Sequence, residues 1–124
     1  MSEYKIYANH AHLFPKNTKP NADKDCLKAM LDACGIEKAV CFAPFQNQMD
    51  MYDVSFGQNP NEWIANEIKN EPQLVAFGSV DFDKDNLEDQ VKKIAELGLL
   101  GIKIHPAYRE VRIGSPELFR VYET

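Results

Sequence analysis

The chain has 124 residues, of which 44% are hydrophobic and 27% are charged, the usual range for one globular domain. No apolar run approaches the ~20 residues that a membrane-spanning helix needs, which argues against an integral membrane protein. Fourteen basic and nineteen acidic residues leave a net charge of −5, which argues against nucleic acid as the main partner. The first residues, MSEYKIYANH, show no basic head followed by an apolar stretch, so we expect a cytoplasmic protein.

The three cysteines are Cys26, Cys34 and Cys41. An odd number of cysteines in a chain without a visible signal peptide is typical of reduced thiols. We expect all three to be buried as small hydrophobic side chains.

Strand and helix patterns alternate along the first half of the chain. Residues 5–11 (KIYANHA) predict a strand, and residues 23–34 have the one-sided apolar spacing of an amphipathic helix that Gly35 would end. Residues 38–45 (KAVCFAPF) predict a second, apolar strand.

The same alternation continues in the second half. Asn61 could cap a helix that runs to about residue 70, and residues 74–80 predict a third strand. A helix from residue 85 to Gly98 and a fourth strand over residues 99–105 (LLGIKIH) follow. Ser115 and Pro116 form a helix start, since a capping hydroxyl precedes proline at the first helical position.

This β-α-β-α-β-α-β-α order predicts an α/β fold with a parallel sheet covered by helices. Four βα units are half of a TIM (β/α)8 barrel, which takes ~250 residues. We therefore expect residues 1–124 to be a single domain, the N-terminal (βα)4 part of a truncated barrel, with Ile6 and either Cys41 or Phe42 on its inward face. A complete, open four-stranded α/β domain is the alternative.

All three histidines lie at the carboxyl ends of predicted strands, where parallel α/β proteins place their active sites. His10 and His12 alternate along the first strand and so share one face. Two neighbouring imidazoles can bind one metal ion, and imidazole is a common ligand of zinc. An isolated H-x-H is weakly specific, but a second pattern at the same edge strengthens it.

The second pattern is K-x-H on the fourth strand. Alternation places Lys103 and His105 on the face of the histidine pair and directs Ile102 and Ile104 towards the helices. In the following loop, Arg109 could bind a substrate carboxylate through its planar guanidinium.

The segments NHAHLFP, GIEKAV, VAFGSVDF and LGLLGIKIHP, in this order, resemble the amidohydrolase-related (amidohydrolase 2) family of metal-dependent TIM-barrel enzymes. The resemblance implies a divalent metal, often zinc, held by His10 and His12. Similar enzymes complete the site with a histidine after strand five and an aspartate after strand eight, which lie outside these four units. Ala8 is a departure, because relatives often have an acidic residue two positions before the first histidine.

The resemblance implies a metal-dependent hydrolase that attacks a small amide, lactone or related carbonyl compound with metal-activated water. A metal-dependent decarboxylase (a lyase) of the same superfamily is an alternative. So are another H-x-H barrel, such as a polymerase-and-histidinol-phosphatase phosphoesterase or a TatD-like nuclease, and a non-catalytic half barrel that binds metal or a partner. We expect a small-molecule substrate, and we expect the unpaired barrel edges to favour a homo-oligomer.

Overall fold

The computed structural model of the chain describes residues 4–45, 59–109 and 111–124, with the backbone alone at Tyr108 and Arg109. The first six described elements alternate as the sequence predicts, and two more helices follow in place of a fourth strand and helix. They are β1 (Tyr7–His12), α1 (Lys24–Ala33), β2 (Lys38–Phe42), α2 (Pro60–Ile68), β3 (Leu74–Phe77), α3 (Leu87–Glu96), α4 (Pro106–Arg109) and α5 (Pro116–Tyr122).

The strands form a parallel sheet in the order β1-β2-β3. Each strand therefore lies beside its predecessor in the chain, and the doubly wound order with β1 in the middle is excluded for these three strands. The predicted α/β class with parallel pairing is confirmed. Its continuation into a barrel stays a prediction.

The predicted fourth strand over residues 99–105 is much shorter than expected. The segment 100–103, which we call the fourth segment, forms one bridge to the sheet, between Ile102 and Gly78. Leu100 N–H donates to the carbonyl of Ala76 at 2.9 Å, and Lys103 N–H donates to the carbonyl of Gly78 at 2.7 Å. Among the described residues, only Ala76 and Gly78 make backbone hydrogen bonds to this segment from the β3 side. The fourth segment still lies where the fourth strand was predicted, parallel to β3.

Local side-chain chemistry sets most helix ends. Asp23 caps α1 by accepting from Cys26 N–H at 2.9 Å, and Ser115 caps α5 ahead of Pro116, as predicted. The prediction for α2 was wrong by two residues: its cap is Asn59, followed by Pro60. This frees the Asn61 side chain for a contact described below.

The core lies between one face of the sheet and the helices. The sheet presents small side chains to it, Ala39, Cys41 and Ala76 together with Leu74, all of them buried. Cys41 is therefore on the helix face and not on the inward face, and burial raises the pKa of its thiol to about 12. Of the three cysteines expected to be buried, only Cys41 is: Cys26 is half-buried, and Cys34 is exposed at the end of α1.

The last helix is tied to α3 by an ion-pair cluster. Arg120 donates to Glu88 through Nε at 2.6 Å and through Nη2 at 2.7 Å, and to the Asp85 carboxylate at 3.2 Å. The hydrogen bonds from Arg120 lower the pKa of Glu88 to about 2. Among the described helices, none has the length and apolarity to cross a membrane.

Replacing Gly78 by alanine should destabilise the fold by about 1–3 kcal/mol, the usual cost of overpacking a core. A Cβ at this position would lie 2.8 Å from Ile94 Cγ1 on α3. Urea denaturation of Gly78→Ala in the wild-type and Ile94→Ala backgrounds measures the clash. Its cost should shrink when Ile94 is truncated, and an equal cost in both backgrounds would contradict the close approach.

Replacing Arg120 by glutamine should lower the melting temperature more at neutral than at acid pH. The carboxylate of Glu88 has a lowered pKa, so its contribution is complete above its ordinary value of 4.5 and is lost as the pH falls towards about 2. The gap between wild type and Arg120→Gln should therefore narrow across this range. Lys93→Gln is the control, because its pair with Glu96 is exposed and long, at 3.8 Å. A gap that widens in acid would contradict the ion pair.

Candidate functional site

The face of the sheet opposite the helices carries three of the predicted site residues, His10, His12 and Lys103, at the carboxyl edge of the strands. We call this the open face. At this edge it includes His10 and His12 from β1, Phe42 from β2, Phe77 from β3 and Lys103 from the fourth segment. Elsewhere on this face Tyr7 is 55% exposed, so the open face is only partly covered by the described residues.

A β-bulge in β1 determines where the histidines point. Ala8 pairs with Ala39 and Ala11 pairs with Cys41, so β1 uses one residue more than β2 over this stretch. Ala8 and Ala11 both pack against the core. The bulge therefore leaves His10 and His12 together on the open face, as the H-x-H spacing predicted.

The two imidazoles are in direct contact. Their Nε2 atoms are 3.0 Å apart, so one Nε2–H donates to the other nitrogen, in a direction that depends on the tautomers. The ring of Phe42 lies beneath both, with centroids 5.0 Å from His10 and 5.9 Å from His12. Phe42 is only 5% exposed although it lies on the open face, because these rings cover it.

Lys103 approaches the same phenylalanine. Its Nζ lies 4.9 Å from the centroid of Phe42, which is the range of a cation–π interaction. Ile102 and Ile104 pack against the core on the other side. The predicted alternation of the fourth strand is therefore confirmed for these three side chains, even though only one bridge joins the segment to the sheet.

The surroundings of His12 are electropositive. Partial burial lowers the pKa of its imidazole, and the nearby positive charges of His10, Lys103 and Lys19 lower it further, in that order. His12 is therefore predominantly neutral at pH 7, the state in which imidazole can bind a metal. The described charges that act on His12 are thus positive, although the net charge of the chain is −5.

Two predicted residues are not joined to this cluster by the contacts above. His105 is exposed at the start of the short α4, and the side chain of Arg109 lies outside the described residues. The histidine pair and Lys103 are thus the part of the predicted site that the structure brings together.

The histidine pair fits one half of a metal site. Two imidazole nitrogens about 2.0–2.1 Å from one zinc ion, at near-tetrahedral angles, lie about 3.3 Å apart, close to the 3.0 Å seen here. Within residues 4–45, 59–109 and 111–124, no group of three or more His, Cys, Asp or Glu side chains could hold a metal. Within these ranges, the edge therefore offers two imidazole donors and no third ligand.

Sequence reasoning missed two side-chain amides at the same edge. Asn61 exchanges two hydrogen bonds with the backbone of Ser79, and Gln90 does the same with Asp81, at 2.7 and 3.0 Å. No local pattern marks either amide, because each partner is nine or eighteen residues away. Asn and Gln at these positions look like ordinary surface residues of a helix.

Comparison with known proteins yields no relative: no protein-family model, no curated protein and no solved structure matches the chain.

The imidazole of His12 should titrate below the ordinary histidine value of 6.5 when its ring protons are followed by NMR with a chelator present. Lys103→Gln should raise this pKa, because it removes a nearby positive charge. Lys19→Gln should raise it by a smaller amount, since Lys19 has the weaker effect. A His12 that titrates at or above 6.5, or a lower pKa in Lys103→Gln, would contradict the proposed electrostatics.

Proposed function

We propose that His10 and His12 are two ligands of a divalent metal site, best suited to zinc, in a metal-dependent hydrolase of the amidohydrolase type. The substrate class is a small amide, lactone or related carbonyl compound. The observation that carries this proposal is the pair of Nε2 atoms 3.0 Å apart on one face of a parallel sheet, at its carboxyl edge.

The arrangement of the sheet supports the proposal that these residues form part of a (β/α)8 barrel. Parallel strands follow one another in chain order, helices cover one face, and the opposite face carries the polar groups at the carboxyl edge. In a (β/α)8 barrel the uncovered face turns inward and its carboxyl edge forms the active site. We therefore propose that this chain is the first (βα)4 half of such a barrel, with further metal ligands on strands that these four units do not include.

Each residue at this edge would have a separate role in such a metal site. A bound zinc ion would act as a Lewis acid and lower the pKa of a coordinated water towards neutrality. In this proposal His10 and His12 supply two imidazole nitrogen donors, and Phe42 excludes water from beneath them. Lys103 supplies a fixed positive charge beside the pair. It is placed to bind and orient a negatively charged group of the substrate.

The positive charges near His12 favour a negatively charged substrate. Among the described residues, the groups that lower the pKa of His12 by their charge are Lys103, Lys19 and the protonated form of His10. An anion such as a carboxylate would relieve their mutual repulsion on binding. We therefore propose a substrate that carries a carboxylate next to its reacting carbonyl. A decarboxylase of the same superfamily would use the same charge pattern.

A second candidate is a metal-binding or partner-binding half barrel without turnover. The observation that favours it is that only two possible metal ligands, His10 and His12, lie together within the described residues. Such a site binds metal weakly and leaves most coordination positions to water.

Zinc titration of the chain, followed by the imidazole resonances of each histidine, tests the metal site. A Cys34→Ser background removes the exposed thiol as a competing ligand. We expect the His10 and His12 signals to shift together, and we expect His10→Gln or His12→Gln to weaken binding by more than about tenfold. His105→Gln is the matched control and should retain binding of the wild-type strength.

Equal zinc affinity in all three histidine variants would contradict the proposed site. So would zinc binding that shifts His105 and leaves the pair unchanged. If the metal binds as proposed but no carboxylate-bearing amide or lactone is turned over when the complementary barrel strands are supplied, the non-catalytic candidate would replace the hydrolase.

A further inference from the structure

The side chain of Asn61 takes the place of a missing strand beside β3. Its amide donates from Nδ2 to the carbonyl of Ser79 at 2.8 Å, and its Oδ1 accepts from Ser79 N–H at 2.8 Å. A neighbouring parallel strand would normally satisfy both groups of such a residue. Here β2 has already ended at Phe42, which pairs with Phe77 two residues before Ser79.

Alternation along β3 explains why Asn61 and the fourth segment contact opposite sides of the same peptide. The carbonyl of Ala76 and both polar groups of Gly78 point to the fourth segment. The groups of Ser79 therefore point the other way, towards the position that β2 would occupy. Asn61 binds Ser79 on that side, while Gly78 binds the fourth segment on its own.

The contact on the other side carries Lys103. Gly78 N–H donates to the carbonyl of Gly101 at 2.9 Å, and Lys103 N–H donates to the carbonyl of Gly78 at 2.7 Å. The backbone of Lys103 is thus held by Gly78, and the next residue, Ser79, is held by Asn61. We propose that Asn61 is a positioning residue that keeps Lys103 over the ring of Phe42, acting through the adjacent backbone of Ser79 and Gly78.

The position of Asn61 on its helix makes it suited to this role. It lies in the first turn of α2, two residues before Trp63, and Trp63 and Ile64 anchor the helix in the core. A side chain on a well-packed helix can hold a loop with little loss of entropy on binding, because its own backbone is already fixed. The Ser79 peptide lies just beyond the end of β3, where the sheet itself no longer holds the chain.

The role of Lys103 in orienting a substrate anion rests on the proposed function. The positioning itself does not, so it is tested in the metal-free chain. Lysine ε-methylene protons above the face of a phenyl ring are shifted upfield by its ring current. In a chain labelled with ¹³C-lysine, the signal that disappears in Lys103→Arg is that of Lys103.

We expect Asn61→Ala to move the Lys103 signal back to the ordinary lysine position, because both hydrogen bonds to Ser79 are lost. Gln90→Ala is the matched control. It removes the same kind of double hydrogen bond from Asp81, two residues further along and away from Gly78. The upfield shift of Lys103 should remain in this variant. A folded Asn61→Ala that keeps the shift, or an equal loss in Gln90→Ala, would overturn the proposal.

Asn61→Asp covers the case in which Asn61→Ala does not fold. Its carboxylate keeps an acceptor for Ser79 N–H but places a second oxygen against the Ser79 carbonyl, so one of the two bonds is lost. We expect a partial loss of the Lys103 shift, and an unchanged shift would overturn the proposal. Zinc affinity measured on the same variants separates the two proposals, since a site without metal can still show the predicted change at Lys103.

Discussion

One extra residue in β1 decides which face of the sheet carries the histidines. Without the bulge, the alternation set by Ala8 would direct His10 and His12 towards the helices. That face is lined by Ala39, Cys41 and Ala76, which pack closely against the helices and leave no room for imidazole rings. The bulge interrupts the regular pairing of β1 with β2 and keeps the two imidazoles away from the core. It also directs position 8 towards the core, so an acidic residue there would not face the histidine pair.

In the proposed site, the cations around the histidine pair would affect metal binding and anion binding together. Lys103, Lys19 and the protonated form of His10 lower the pKa of His12, and a divalent cation would increase the positive potential. An anionic group bound nearby would offset it. If the edge binds metal as proposed, metal and anion would bind cooperatively, each more tightly in the presence of the other. The Phe42 ring limits the repulsion from Lys103, because its π-face attracts the ammonium group.

The sequence was sufficient wherever a periodic pattern determined the structure. Apolar alternation predicted the parallel βα order, and the two-residue spacings correctly grouped His10 with His12 and separated Lys103 from its isoleucine neighbours. It failed where long-range hydrogen bonding determined the structure. Nothing in KIYANHAH marks the bulge, and the apolar pattern of residues 99–105 could not show that only one bridge joins them to the neighbouring chain. The predicted barrel depends on strands that no local pattern in these residues describes.

The unequal ends of neighbouring strands explain the two side-chain amides at the carboxyl edge. When one parallel strand ends before the next, the longer chain is left with backbone donors and acceptors that face no partner, and burial makes them costly. An Asn or Gln side chain presents a donor and an acceptor with nearly the spacing of a peptide, so it can replace a strand for one residue. Asn61 does this for Ser79 and Gln90 does it for Asp81. Both amides come from helices that pack on the core side of the sheet. The backbone geometry at the carboxyl edge therefore depends on how firmly those helices pack against the sheet.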